Sequence, residues 1–511
     1  MSTLNDSPRM ESPDAAKARA ALMLSAAHWA SERYSKMDSA AVRQITQAVA
    51  EKAFEKSREY AEWAVKETGY GRIDHKVLKN QACSKGIFKL YGNTDYVSPR
   101  IDPSKKIVEL PRPAGVVFAL TPVTNPVATV YFKTLLALMT RNAIVISPHP
   151  GAKEVCADAI KMMAAAAEAA GAPAGLIQVV EEPTVPLIDT FMTSEQVDLI
   201  VATGGPAVVR AAYCSGNPAI GVGSGNAPVL VDDTCDLKKA AKYIVESKSF
   251  DNSILCTNES TILAFESIAD SLLTQMKGAK AYICTPPEVD MLRATLFNEG
   301  KFNLDMLGRE ASYIANAAGF KAANAAILVA PVNSIQPEEP LVREKLCPVL
   351  AFGRVANIDQ AASAARSVMR HSGKGHSAVA HSNNEQNILA FADAVPALRI
   401  CVNVGCSLGA AGIETNLGPS MTIGTGFAGG SSVGKNLTPD DFINTASIAY
   451  NKSEEEAFGS YEGLSRKLIQ LKRADLINFP ELPALQSKSS ESQRDELRRI
   501  VQEELKSILA A

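Results

Sequence analysis

Hydrophobic and polar residues recur along the chain in patterns that predict an N-terminal helical region followed by alternating strands and helices. Residues 14–95 carry apolar residues at helical spacing, as in 39–69, which ends on a glycine. The short apolar runs at 115–120 and 142–147 are bounded by Gly, Pro and Asn, and they predict buried strands. The segment between them, 126–141, has the pattern of a helix.

The alternation continues through the second half of the chain. An Ala-rich helix is predicted at 152–171 and another helix at 237–250. Further strands are predicted at 175–180, 197–203, 227–232, 259–265, 341–355, 376–382 and 398–404. Repeats of strand, helix and strand predict an α/β fold whose sheet is mostly parallel, with helices on both faces.

The C-terminal end of the chain has a different pattern. Residues 479–491 are rich in Pro and Ser and predict a linker. Residues 492–511 predict a short amphipathic helix, because their apolar residues fall on one stripe. The stripe consists of Leu497, Ile500, Val501, Leu505, Ile508 and Leu509.

Composition and charge narrow the function classes. The chain has 511 residues and a formal net charge of −3, which gives no electrostatic footprint for nucleic acid or an acidic membrane surface. No apolar run is long enough to span a bilayer, and the N-terminus lacks the apolar core of a secretory signal. We therefore expect a cytoplasmic protein without nucleic-acid or membrane partners.

The nine cysteines are odd in number and include no C-x-x-C pair, which indicates reduced thiols. The six histidines show no H-x-x-x-H spacing, so we expect no metal site.

Six segments, in order, resemble the aldehyde dehydrogenase superfamily and, within it, its CoA-acylating branch. That branch includes the aldehyde dehydrogenase half of bifunctional alcohol/aldehyde dehydrogenases and the aldehyde dehydrogenases of bacterial microcompartments. The resemblance extends over roughly residues 45 to 450. The segments are "TNPVATVYFKTLLALMTRNAIVISPHPGA", "LIVATGGPAVVRAAYCSGNPAIGVGSGNAPVLVDDTCDL", "SKSFDNSILCTNES", "EKLCPVLAF", "GKGHSAVAHS" and "LGPSMTIGTGFAGGSSVGKNLTP".

The resemblance implies a Rossmann-type nucleotide-binding domain over 14–237 and an α/β catalytic domain over 238–425. Residues 426–478 would return to the nucleotide-binding domain. A small oligomerisation flap would combine strands near 100–112 with part of this return, and a homodimer or homotetramer is implied because flap strands need a partner's sheet edge.

Cys256 and Asn125 are the implied catalytic residues. The "FDN-x-x-x-C" context of Cys256 matches the family's nucleophile, and a thiolate can both attack an aldehyde and later leave from a thioester. Asn125, in "TNP", matches the family's oxyanion-binding asparagine, with the backbone N–H of Cys256 as a second donor. Without the family match, Cys256 would be interpreted as a buried inert thiol and Asn125 as a turn residue.

The resemblance implies a binding site for the cofactor NAD, with NADP as the alternative. It also implies CoA as a co-substrate. A Gly-Gly turn before a helix allows close approach of a pyrophosphate, and Glu344 matches the family's ribose-binding glutamate. His149 and His376 are candidates for phosphate contacts, although each could simply cap a strand. The cofactor-binding candidates are Thr121, Pro122, Ser147, His149, Thr203, Gly204, Gly205, Gly223, Glu344 and His376.

One departure from the hydrolytic members of the family is informative. They carry a glutamate that activates water for attack on the thioester, and the aligned position here is Val222. Valine cannot act as a general base, so we expect release of the acyl group by the CoA thiol.

Two alternatives remain at this stage: an aldehyde dehydrogenase that releases a carboxylic acid, and a non-catalytic scaffold on the same fold. The substrate would be a small aldehyde of the acetaldehyde, propionaldehyde or sulfoacetaldehyde type. The segment 492–511 resembles the encapsulation peptides that dock enzymes to microcompartment shell proteins, and the alternative is a packing helix of an oligomer.

Overall fold

The structure is a computed structural model that describes residues 11–461. The predicted linker at 479–491 and the predicted helix at 492–511 lie outside the described residues.

Helices and strands alternate through most of the described chain. The α-helices are α1 (Pro13–Tyr34), α2 (Ser39–Glu55), α3 (Ser57–Thr68), α4 (Ile73–Gln81), α5 (Ile87–Tyr91), α6 (Pro126–Met139), α7 (Lys153–Ala169), α8 (Val185–Thr193), α9 (Pro206–Cys214), α10 (Leu237–Ser249), α11 (Ala269–Gly278), α12 (Pro286–Leu296), α13 (Ala311–Ala318), α14 (Ile358–Val368), α15 (Glu385–Ala394) and α16 (Cys406–Gly409). The strands are β1 (Arg100–Asp102), β2 (Ile107–Pro113), β3 (Val116–Thr121), β4 (Ala143–Pro148), β5 (Ile177–Val179), β6 (Leu199–Thr203), β7 (Ala219–Val222), β8 (Ala227–Val231), β9 (Glu259–Phe265), β10 (Ala281–Ile283), β11 (Phe297–Asn298), β12 (Lys301–Phe302), β13 (Ile327–Pro331), β14 (Val349–Val355), β15 (Ser377–His381), β16 (Arg399–Val402) and β17 (Ile443–Ala449).

The N-terminal region is helical, as predicted, and its helices begin and end at identifiable caps. The side chain of Ser12 caps α1 and that of Asp38 caps α2, each by accepting a backbone N–H. Gly69 ends α3 in the left-handed conformation that glycine adopts without strain. Among the described residues, none of the helices combines the length and apolar character needed to cross a bilayer.

Two parallel sheets form the framework, which confirms the predicted α/β class. The first has the order β5-β4-β3-β6-β7, and the second has the order β10-β13-β14-β9-β8-β15-β16. Their central strands are buried along their whole length, as expected for sheets covered on both faces. The predicted strands at 115–120 and 142–147 correspond to β3 and β4.

The change from the first sheet to the second occurs earlier than the expected domain boundary at residue 238. Strand β8, Ala227–Val231, pairs in parallel with β9 and β15 of the second sheet. Parallel hydrogen bonding to these two strands places β8 inside the second sheet. Residues 223–226 therefore form the link between the sheets.

A separate three-stranded antiparallel sheet has the order β1-β2-β17. It brings together the two segments from which the sequence predicted a flap, with Ile443 opposite Pro113 and Ala449 opposite Ile107. Most residues of β17 are exposed.

We expect the Phe118→Ala variant to lose about 3–5 kcal/mol of unfolding free energy, because the ring is fully buried and its removal leaves a cavity. Phe118 lies in β3, and its ring stacks on Phe191 with centroids 4.8 Å apart. The measurement is urea denaturation. Phe427→Ala is the matched control, since that ring is 93% exposed and its removal should change stability little. Equal losses for the two variants would contradict the prediction.

Candidate active site

A cavity of about 410 Å³ lies at the carboxyl ends of β3, β4 and β6. Thr121 and Thr203 end the neighbouring strands β3 and β6, between which the order of strands along the chain reverses. Ligands bind at such switch points in open α/β sheets. The lining includes every site residue proposed from the sequence: Thr121, Pro122, Asn125, Ser147, His149, Thr203, Gly204, Gly205, Gly223, Cys256, Glu344 and His376.

Cys256 lies in the turn between α10 and β9. The chain enters this turn through three consecutive left-handed residues, Asp251, Asn252 and Ser253, with φ of 48°, 53° and 63°. Asp and Asn tolerate this conformation better than other non-glycine residues, which explains their place here. The backbone thus makes a tight turn that brings the thiol to the cavity.

The thiol of Cys256 lies in surroundings that disfavour its ionised form. Burial, together with the charge of Glu344, raises the pKa of Cys256 to about 12. The backbone N–H groups of Cys256 and Thr257 and the charge of Arg399 act in the opposite direction, because each stabilises the thiolate. On balance, the surroundings of Cys256 raise the pKa of its thiol.

Glu344 lines the same cavity as Cys256, and its surface is partly exposed. Burial raises the pKa of its carboxyl to about 7, although hydrogen bonding and the charges of Lys248 and Lys345 oppose that rise. Its Oε1 accepts the backbone N–H of Gly225 at 2.8 Å. Glu344 therefore changes charge near neutral pH.

Gly225 is a structural requirement that the sequence analysis missed. A Cβ atom at this position would lie 1.7 Å from the carbonyl oxygen of Cys256, a backbone atom that cannot move aside cheaply. The only sequence signal is the "GSG" at 223–225, which is common in turns. The absence of a side chain here allows the link between the sheets to pack directly against the nucleophile turn.

Asn125 precedes α6 and is buried, with 7% of its surface exposed. Its Oδ1 accepts a hydrogen bond from Lys79 Nζ at 2.5 Å. Its Nδ2 is 3.3 Å from Thr124 Oγ1 and retains a second N–H. An amide held by its oxygen presents its N–H groups as donors, as an oxyanion site requires.

The strand ends supply unpaired polar groups that fit a nucleotide. Among the described residues, the buried hydroxyls of Thr121, Ser147 and Thr203 have no hydrogen-bond partner, and all three line the cavity. Gly205 caps α9 in an extended conformation, and nothing lies within 4 Å of a Cβ built there. The helix N-terminus and the open glycine leave room for a phosphate.

The two candidate histidines occupy different environments. His149 is exposed, and its Nδ1 accepts the backbone N–H of Gly151 at 3.0 Å, so it caps the turn after β4. His376 is buried, and burial followed by the charge of Arg399 lowers its pKa to about 3. Its Nδ1 is paired with Ser377 Oγ at 2.8 Å. His376 is thus a neutral imidazole at the cavity wall.

Val222 ends β7 and also lines the cavity. It is 4% exposed. Among the described residues that line the cavity, Glu344 is the sole carboxylate, and lysine and arginine are absent.

Comparisons with known proteins show the family to which the chain belongs. The model of the aldehyde dehydrogenase family matches residues 2–418. The chain is 36% identical to an aldehyde-alcohol dehydrogenase of Clostridium acetobutylicum over 428 residues, which cover 82% of this chain and 49% of that relative. The chain thus spans about half the length of this curated relative.

Solved structures extend the comparison. An acetylating aldehyde dehydrogenase from Geobacillus thermoglucosidasius is 34% identical, with a TM-score of 0.84 and coverage of 87% of this chain and 99% of that one. A propionaldehyde dehydrogenase from Rhodopseudomonas palustris, solved with bound CoA and an acylated cysteine, is 28% identical with a TM-score of 0.76. That match covers 86% of this chain and 97% of the other.

We expect Glu344→Gln to raise the rate at which iodoacetamide alkylates Cys256 above about pH 7, where Glu344 is ionised in the wild type. Loss of the negative charge lowers the pKa of the thiol. Each pKa unit by which it falls increases the thiolate fraction about tenfold. The measurement is the alkylation rate of the Cys256 peptide by mass spectrometry. Below about pH 7 the two proteins should converge. A slower reaction in the variant would instead identify Glu344 as the base that takes the thiol proton.

Proposed function

Because this chain belongs to the aldehyde dehydrogenase family, we propose that it oxidises a small aldehyde to the corresponding acyl-CoA with NAD⁺. One observation carries the proposal. The cavity combines a cysteine and an amide donor with a valine at the position where hydrolytic relatives hold a water-activating glutamate. The similarity to a protein solved with CoA and an acylated cysteine supports it.

The first half-reaction uses Cys256 and Asn125. The thiolate sulfur of Cys256 bonds to the carbonyl carbon, and the carbonyl electron pair moves to oxygen. Asn125 Nδ2 and the backbone N–H of Cys256 donate to that oxygen and stabilise its charge. When the electron pair returns to reform the carbonyl, a hydride leaves the carbon and a thioester remains on Cys256.

NAD⁺ supplies the hydride acceptor when it is bound. The hydroxyls of Thr121, Ser147 and Thr203 would hold its polar groups, and the N-terminus of α9 would bind the pyrophosphate. Glu344 would bind the ribose. NADP is the alternative cofactor.

The second half-reaction transfers the acyl group. The CoA thiolate attacks the thioester carbon, and Cys256 leaves as a thiolate, which restores the enzyme. Exchange between two thiols needs little help from a general base, whereas attack by water needs a base to remove a proton. Val222 cannot provide that base.

The lining of the cavity favours an uncharged substrate. An anionic aldehyde such as sulfoacetaldehyde would need a cation near its charged end, and the described lining offers none. We therefore favour a short neutral aldehyde of the acetaldehyde or propionaldehyde type.

We also propose the domain and assembly roles that the family suggests. The first sheet would bind the nucleotide, and the second sheet would carry the catalytic cysteine. The three-stranded sheet would join subunits in a homodimer or homotetramer, since its exposed strand β17 offers a surface for a second copy.

The C-terminal segment 492–511 would serve as an encapsulation peptide. Its apolar stripe behind a Pro- and Ser-rich linker suits docking in the groove of a shell protein. This would place a cytoplasmic enzyme inside a bacterial microcompartment.

We expect steady-state NADH formation from propionaldehyde and NAD⁺ to require CoA. Without CoA, the enzyme should form about one NADH per active site and stop, because the thioester persists. The measurement is stopped-flow absorbance of NADH, with product identification. Cys256→Ser should abolish the burst, and Cys214→Ser, which changes an exposed cysteine, should leave it intact. Undiminished turnover without CoA would refute the acylating mechanism.

We expect deletion of 487–511 to leave CoA-dependent activity intact and to abolish co-sedimentation with microcompartment shells. The reason is that the described residues that line the cavity end at Ile423 along the chain. Co-expression with shell proteins followed by sedimentation provides the measurement. Substitution of Leu505 by Glu in the full chain is the control, since it disrupts the apolar stripe alone. Loss of activity or solubility after deletion would contradict the targeting role.

A further inference from the structure

Helix α4 carries two buried lysines that the proposed mechanism does not use. Lys76 and Lys79 lie three residues apart and are 3% and 1% exposed. Both face Asp251, which is fully buried in the turn that precedes Cys256. Lys76 Nζ lies 3.2 Å from Asp251 Oδ2, and Lys79 Nζ contacts the same oxygen. One carboxylate is thus shared by two ammonium groups.

A second lysine is costly unless it has a further role. Burial of a charged side chain is compensated by a partner of opposite charge, and Lys76 already pairs with Asp251. Burial lowers the pKa of Lys76 to about 8, and the charge of Lys79 contributes in the same direction. Lys79 is also compensated by Asp251, whose carboxylate oxygen it contacts, and it makes one further side-chain contact that Lys76 does not share.

That other contact is with the proposed oxyanion donor. Lys79 Nζ donates to Asn125 Oδ1 at 2.5 Å, whereas Lys76 Nζ reaches the carbonyl oxygen of Thr124 at 3.5 Å. An ammonium group has donors only, and an amide has one acceptor oxygen. Rotation of the Asn125 amide by a half-turn would place its NH₂ against the ammonium. The contact thus fixes which end of the amide faces away from Lys79.

We propose that Lys79 is a positioning residue that holds the Asn125 amide with its N–H groups directed to the oxyanion. Its positive charge lies behind the amide and polarises it toward donation. Asp251 anchors the ammonium through the loop that also carries Cys256, so α4 connects the donor and the nucleophile. This inference rests on the proposed function, because it assigns a role in the first half-reaction.

The test is the single-turnover burst of NADH without CoA. Lys79→Met should slow the burst about tenfold to a hundredfold, less than the loss of about 10²–10³ typical when an oxyanion donor is removed. The aldehyde KM should change little, because the interaction acts on the transition state. The burst reports formation of the thioester. This step comes before release of the acyl group, whether the acceptor is CoA or water.

Lys76→Met is the matched control. It removes a lysine from the same helix, with similar burial and the same carboxylate partner, but without contact to the Asn125 side chain. It should slow the burst far less than Lys79→Met. Equal slowing by the two variants would overturn the positioning role and indicate general destabilisation of the turn.

Coupling to Asn125 provides a second readout. In an Asn125→Ala background, Lys79→Met should add almost no further loss, because the residue it positions is gone. Multiplicative losses would overturn the proposal. Lys79→Gln should recover much of the rate, since its amide nitrogen can still donate to Asn125 Oδ1, and this variant keeps the test decisive if Lys79→Met does not fold.

The outcomes separate this inference from the proposed function. If the wild type forms no NADH from aldehydes and NAD⁺, both fail. A normal wild-type burst with an unchanged burst in folded Lys79→Met would overturn the positioning role alone.

Discussion

The close approach of Gly225 to the backbone of Cys256 is the contact on which the site depends. Gly225 lies in the short link from the first sheet to the second, and its missing side chain leaves space for the carbonyl oxygen of Cys256. Its N–H also donates a hydrogen bond to the carboxylate of Glu344, a residue that lies far away along the chain. One residue without a side chain thus sets the relation between the cysteine, the carboxylate and the end of β7.

Burial then determines the chemistry of the groups that Gly225 brings together. Desolvation disfavours both the Cys256 thiolate and the Glu344 carboxylate, and their pKa values rise to about 12 and about 7. The charge of Glu344 also raises the pKa of Cys256, because a nearby negative charge disfavours the thiolate. The surroundings of Cys256 therefore disfavour its thiolate, and a cation or a hydrogen-bond donor near the sulfur would favour ionisation.

The strands that frame this site could be predicted from local signals, whereas Cys256, Asn125 and Glu344 were assigned through the resemblance to the family. Apolar runs bounded by Gly and Pro predicted β3 and β4. Residues at the carboxyl ends of these strands line one cavity, because the carboxyl ends of parallel strands lie at the same edge of the sheet. Lys76 and Lys79 could not be found in this way. Lysines three residues apart on a helix normally indicate a solvated face, and their burial arises from contact with Asp251, which lies far away in the chain. The position of β8 in the second sheet is likewise set by pairing rather than by its sequence.

The fate of the acyl group follows from what surrounds the thioester. Glu344 is the sole carboxylate among the described residues of the lining, and its hydrogen bond to Gly225 holds one of its oxygens at the backbone. Val222, at the end of β7, contributes only an apolar surface. In the proposed reaction, water would have to lose its proton without a dedicated base, so hydrolysis would be slow. A thiol ionises far more readily than water, and its thiolate is also the better nucleophile toward a thioester. The same lining that would leave water unactivated would therefore select a thiol as the acceptor in the proposed reaction.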